Sequence, residues 1–132
     1  MDAVWHEVAE KRFKVIDVDS VESTKAPWGA LKILFDREKG VVKDASIHVH
    51  ITEMKPGIRH NPHTHDYDEI IFILEGKARE GDGPDAVEAG PGQVLYIPAG
   101  VEHGTGNIGD GILKLMVILP STPSKPVKSM SR

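Results

Sequence analysis

The stretch 59-RHNPHTHDYDEIIFIL-74 decides how this chain folds and where its chemistry sits. His60, His63 and His65 fall within six residues, Asp66, Asp68 and Glu69 follow, and the run passes straight into the apolar Ile70–Leu74. His63, His65 and Glu69 share odd parity. Side chains on extended backbone alternate with period two, so these three point to one face. Two imidazoles and a carboxylate converging on one point make a donor set for Fe, Mn, Ni, Cu or Zn, without selecting among them. Ile71 and Ile73 continue that face and would give such a site an apolar floor, where low dielectric strengthens an ion's field.

Outward from this stretch the pattern is of short strands cut by Gly and Pro. Residues 46–53, SIHVHITE, alternate cleanly and read as a strand with two possible orientations. With Ile47, Val49 and Ile51 inward, His48 and His50 are surface residues. With the other face inward, His50, and with it His48 and Thr52, lines a pocket. Residues 13–18 and 30–36 also alternate like strands, and 36-DREKG-40 reads as a solvated turn. Residues 69–75 are apolar on both faces, as in a covered central strand. A short strand is expected between the turn clusters of 80–92. Further strands follow at 93–97, stopped by Pro98, and at 111–119. Residues 1–12 suit a helical turn or an edge strand, and the tail 120–132 is polar and expected to be loose or draped over a neighbour. About eight short strands, 13 Gly and 9 Pro, and no long amphipathic pattern point to an all-β sandwich or small barrel.

The bulk numbers narrow the function. The chain has 132 residues, which suits one domain over 1–132. It has no cysteine, so thiolate metal sites, thiol catalysis and disulfides are excluded. Sixteen Lys and Arg against 20 Asp and Glu leave a net charge of −4, with no basic stripe for nucleic acid. The longest apolar run, 70–74, is too short to cross a bilayer, so no membrane partner is expected. The N-terminal residues lack the apolar core of a secretory signal. A cytoplasmic protein is the expectation.

Two spaced motifs now carry a resemblance. Gly57, then five residues, His63-Thr-His65, three residues, Glu69, six residues and Gly76 resemble the first cupin motif over 57–76. Gly92, five residues, Pro98-Ala-Gly100, two residues, His103, three residues and Asn107 resemble the second over 92–107. The resemblance implies a double-stranded β-helix, or jelly-roll barrel. It implies a divalent metal, Fe or Mn preferred and Ni, Zn or Cu possible, on His63, His65, Glu69 and His103. It implies positive φ at Gly57, Gly76 and Gly92.

Cupins of this pattern include dioxygenases, decarboxylases, isomerases, lyases and non-catalytic binding domains. The leading expectation is a small-molecule oxidoreductase of dioxygenase type. The alternatives are a non-redox isomerase, decarboxylase or lyase using the ion as a Lewis acid, and a module that only binds a small ligand. His50, His60 and Tyr96 are the candidates for moving a proton. Tyr96 is expected in the core with its hydroxyl at the rim. Asp66, Tyr67 and Asp68 read as a solvated turn and Glu102 as a surface charge. Leu115, Val117 and Leu119 read as core, and Trp5 and Trp28 as packing or subunit contacts. Outer apolar strand faces would need a cover, so a homodimer is expected.

Overall fold

The computed structural model describes residues 12–121. The expectations for Trp5, for residues before 12 and for the tail beyond Ser121 lie outside that range. Nine strands form two antiparallel sheets among the described residues. The larger sheet contains β1 (Thr24–Ala26), β2 (Gly29–Phe35), β3 (Ile47–Met54), β4 (Glu69–Glu75), β7 (Val94–Ile97) and β9 (Leu113–Pro120). Its order is β1-β2-β3-β9-β4-β7. The smaller contains β5 (Ala78–Glu80), β6 (Val87–Ala89) and β8 (Thr105–Asn107), in the order β6-β5-β8. The result is the all-β jelly-roll barrel expected.

β9 arrives last yet lies between β3 and β4, so its β-branched and Leu-rich run is covered from both sides. Cross-strand pairs share a face. Met54 pairs with Leu113, Thr52 with Leu115, and His50 with Val117. Leu115 and Val117 pair onward with Ile73 and Ile71. These apolar partners form the buried core with Ala78, Ala89 and Ile97 of the other strands. The open orientation of 46–53 is thereby settled: His48, His50 and Thr52 face the barrel. Val49 pairs with Ile118, Ile118 with Ile70, and Ile70 with Tyr96, all on the outer face.

Two local tight spots hold the barrel's corners. At Gly76, φ is +91° and a Cβ would meet Ile112 O at 2.6 Å, so only glycine fits between β4 and β5. At Gly104 a Cβ would lie 2.6 Å from His60 O, which lets the two motif segments run close together. Gly57 and Gly92 also have positive φ, as expected. Asn107 cross-ties the structure: its amide donates to Met54 O and Gly111 O, each at 2.9 Å, and its carbonyl accepts from Gly109 N.

The strand expected over 13–18 is absent. Phe13 and Val15 are exposed, and the chain instead makes a 3-10 turn over Val18–Ser20. Alternation is a local signal, and a strand also needs an edge to pair with. The short strands β1, β5 and β8 were not foreseen; each has three residues, too few for a visible period. The turn 36–40 is only partly solvated, because Asp36 is 0% exposed. No helix among the described residues is long and apolar enough to cross a membrane.

Candidate metal centre

The centre is assembled by one antiparallel bridge. His63 N donates to His103 O and His103 N donates to His63 O, both at 2.9 Å. Residues paired this way present their side chains to the same side. His65 lies two residues on, with the same parity, and its carbonyl accepts from Gly100 N at 2.8 Å. The ring centroids lie 4.4 Å apart for His63 and His103, 4.7 Å for His65 and His103, and 5.6 Å for His63 and His65. One nitrogen from each ring lies within 4.8 Å of the others, so these three imidazoles have the geometry to hold a metal ion.

Backbone carbonyls set the tautomers. His63 Nδ1 lies 3.0 Å from Asn61 O, His65 Nδ1 3.0 Å from Tyr67 O, and His103 Nδ1 2.9 Å from Val101 O. A carbonyl only accepts, so each Nδ1 carries a proton, and a neutral ring then has its lone pair at Nε2. Glu69, at the start of β4, stands at the edge of the trio. Its Oε1 is 2.9 Å from His65 Nε2 and 3.3 Å from His103 Nε2. Buried His103 Nε2 has no hydrogen-bond partner among the described residues. Three imidazole nitrogens and a carboxyl group thus converge, with His65 Nε2 and Glu69 Oε1 in hydrogen-bond contact. That arrangement suits a cation, and the N/O donor set suits a divalent transition ion.

The surroundings are layered. Tyr67 stacks on His65 at 4.1 Å and 7°, so it is part of the site's wall. Asp68 accepts from Ala99 N at 2.9 Å and ties the two motif loops together. Asp66 and Asp68 are exposed, as expected of a solvated turn, whereas Tyr67 is half-buried. The parity of Tyr67 with His65 was the available signal. His50 lies on the barrel's inner face, level with Val117 and Ile71. Burial first, then the fields of His48 and His60, lower its pKa to about 4. His60 is lowered as well, chiefly by burial and then by His63. Both are therefore neutral imidazoles at physiological pH. Trp28 meets His60 edge-on at 6.1 Å and packs against the core, as expected of it. Leu115 and Val117 are core, with Leu119 packed alongside.

Tyr96 differs from expectation. Strand parity puts it opposite Ile70 on the outer face, 61% exposed, because its neighbours Leu95 and Ile97 take the inward positions. Its hydroxyl is bonded to the Asp68 carboxylate, which raises its pKa. It stands at the lip of the site and does not join the imidazoles. The residue that sequence reasoning missed is Glu80 on β5. It is 7% exposed, Thr105 Oγ1 donates to its Oε1 at 2.5 Å, and its Oε2 has no hydrogen-bond partner among the described residues. Burial, the largest influence, raises its pKa. Glu80 lies outside both motifs, so spacing offered no signal. A cleft of about 510 Å³ opens beside it, lined by Arg59, Pro62, Ile97, Pro98 and His103 among others. Arg59 is held by Asp82, with Nη2 2.6 Å from Oδ2.

This is a barrel with a histidine-lined, metal-competent centre, and its family follows. The cupin domain model matches residues 50–119, more than half the chain, and the chain belongs to that family. Among curated proteins it is 27% identical over 116 residues to polyketide synthase CurC of Streptomyces cyaneus, covering 87% of this chain and 74% of that one. Among solved structures it is similar to the polyketide cyclase RemF from Streptomyces resistomycificus. That match has a TM-score of 0.69 and 22% identity, over 86% of this chain and 82% of the other. It is also similar to oxalate decarboxylase of Bacillus subtilis, studied for its Mn(II) centres. There the TM-score is 0.64 and the identity 25%, over 80% of this chain and 29% of that longer one.

Proposed function

We propose that this protein is a metal-dependent acid–base enzyme acting on a neutral, carbonyl-bearing small molecule, without net oxidation. His63, His65, His103 and Glu69 are the metal ligands, and His50 is the proton acceptor, with His60 beside it. The observation that carries this reading is the pairing of two features in one barrel. Three imidazole nitrogens and a carboxyl group converge, and neutral imidazoles face the same interior across the apolar floor of Ile71 and Val117. A divalent ion bound there supplies Lewis acidity toward a carbonyl oxygen, which acidifies the adjacent C–H. The chain's own part is to keep His50 uncharged, to exclude water with its apolar floor, and to offer the Glu80 carboxyl, whose pKa burial raises, as a hydrogen-bonding group.

Substrate charge follows from the cleft. Among the described residues, the one Lys or Arg lining it is Arg59, which already pairs with Asp82. A phosphate or a polycarboxylate would find no uncommitted cation there. A neutral poly-carbonyl chain or aromatic ketone suits this lining, and the polyketide names of CurC and RemF agree with that class. The metal-bound oxygenase reading, with Fe or Mn, requires dioxygen for turnover and so separates cleanly.

The test is deuterium exchange into the α-position of α-tetralone in D2O, under argon, with zinc-loaded protein. Exchange above background, abolished in His63→Ala/His103→Ala, is the expected result. Absence of exchange, with oxygen consumption by the Fe(II)-loaded protein, would overturn it.

We also propose that the chain is a homodimer. Phe35, Val49, Ile118, Ile70 and Tyr96 make a continuous outer row, and Ile47 and Val94 beside it are more than half exposed. Light scattering should give twice the chain mass, and Ile70→Glu should halve it; a monomeric wild-type protein would refute this.

A further inference from the structure

Behind His50 lies a chain of buried polar contacts that the metal centre does not use. Asp36 follows the end of β2 and is 0% exposed. Its Oδ2 accepts from Glu38 N and Lys39 N, each at 3.0 Å. Its Oδ1 accepts from Ser121 Oγ at 3.0 Å and lies 3.0 Å from His48 Nδ1. Ser121 is itself pinned, because its Oγ accepts from Arg37 N at 2.5 Å. His48 Nε2 then lies 2.8 Å from His50 Nδ1, with the two rings at 75°.

Donor–acceptor bookkeeping fixes the protons along this chain. Donors surround both oxygens of Asp36, which favours the carboxylate and makes it an acceptor. His48 Nδ1 must then be the N–H. A neutral His48 therefore offers a lone pair at Nε2, and His50 Nδ1 must donate to it. The remaining atom, His50 Nε2, is left with a lone pair on the inner face of the barrel. With His48 neutral, each step follows from the one before it.

We propose that Asp36 and His48 form a hydrogen-bonded relay that locks His50 in its Nδ1–H tautomer, so that Nε2 is the basic atom of the site. The inference rests on the acid–base reading for its catalytic meaning, but the tautomer itself does not. Asp36 and His48 are positioning residues, and His50 is the group that meets substrate. When His50 Nε2 takes a proton from a carbon beside a carbonyl, the bonding pair stays on the substrate as enolate. The Nδ1 proton of His50 can pass to His48 Nε2. His48 then holds both its protons and the positive charge, against the Asp36 carboxylate. Return of the proton to carbon or to oxygen runs the relay backwards, and no other reactant is needed. The titratable groups acting on His50 are His48 and His60, and Glu69 acts on His60. Burial keeps His50 itself from holding the charge, which favours His48 as its resting place.

The experiment is long-range proton–nitrogen NMR on the full-length protein, labelled with 15N at histidine, at neutral pH, metal-free and zinc-loaded. His50 is expected with a protonated Nδ1 and an unprotonated Nε2 in both samples. Asp36→Asn places an amide N–H opposite His48 Nδ1, and should reverse the chain to leave His50 with Nε2–H. Should that variant fold poorly, His48→Phe removes the acceptor instead and should abolish the Nδ1–H signature of His50. A wild-type His50 protonated at Nε2 would overturn the relay, as would a folded Asp36→Asn or His48→Phe that leaves the His50 pattern unchanged. Neither outcome depends on metal binding or turnover. A protein with the expected tautomer that fails the ketone exchange test loses the proposed function and keeps the relay; the opposite pair of results does the reverse.

Discussion

The barrel holds two groups of histidines in the same tautomer by different means. At His63, His65 and His103 each Nδ1–H is anchored on a main-chain carbonyl two residues away. At His48 and His50 the anchor is a side chain, Asp36, itself braced by Ser121 from the far end of the chain. The first device is local. Any segment with that backbone path orients its imidazoles, and so a short motif can encode it. The second is non-local. It exists only when β2, β3 and the end of β9 have come together. The first group has the geometry to hold a cation, while the second is proposed to offer one lone pair to a proton.

That contrast orders the expected effects of perturbation. The largest is on turnover. His50→Gln removes the basic atom and should lower ketone exchange by roughly 10²- to 10⁴-fold while metal content is unchanged. Loss of metal in that variant would merge the two groups into one and break the comparison. Next comes metal affinity. Glu69→Gln keeps the shape but removes the charge beside His65 and His103, and should weaken zinc binding at least about tenfold in a chelator competition.

A stability effect follows from His50. The unfolded chain takes up this proton near pH 6.5, and the folded chain only near pH 4. A lowered histidine pKa therefore costs stability as pH falls through that window, and the cost levels off below it. Its full size is about 3 kcal/mol. Urea denaturation of the metal-free protein at several pH values measures it against His50→Gln, whose curve should be flatter. Equal curves would mean that burial does not disfavour the charged imidazole. The smallest effect belongs to Tyr96→Phe. Its hydroxyl bonds Asp68 on the exposed face, and exchange activity should change less than about twofold, with the denaturation midpoint essentially unmoved. A large loss would return Tyr96 to the chemistry.

How much of this could be read from the sequence follows the same division. The parity of His63, His65 and Glu69 and the two spaced motifs pointed to the barrel and to the cluster, because local backbone carries both. The orientation of 46–53 stayed open, since alternation shows that a strand has two faces but not which one meets β9. Asp36 read as a turn charge because its partners lie 12 and 85 residues away. Glu80 was silent for a similar reason: a three-residue strand has no period, and its burial is created by β6 and β8 on either side. The false strand at 13–18 is the converse case, a good local pattern with no edge to join.

The most direct measurement is elemental analysis of tag-free protein purified without added metal, beside His63→Ala/His103→Ala. Near-stoichiometric divalent transition metal in the wild type, lost in the double variant, is the expected result. Little metal in either protein, and no stabilisation of the wild type by added Fe, Mn, Ni or Zn, would contradict the metal centre.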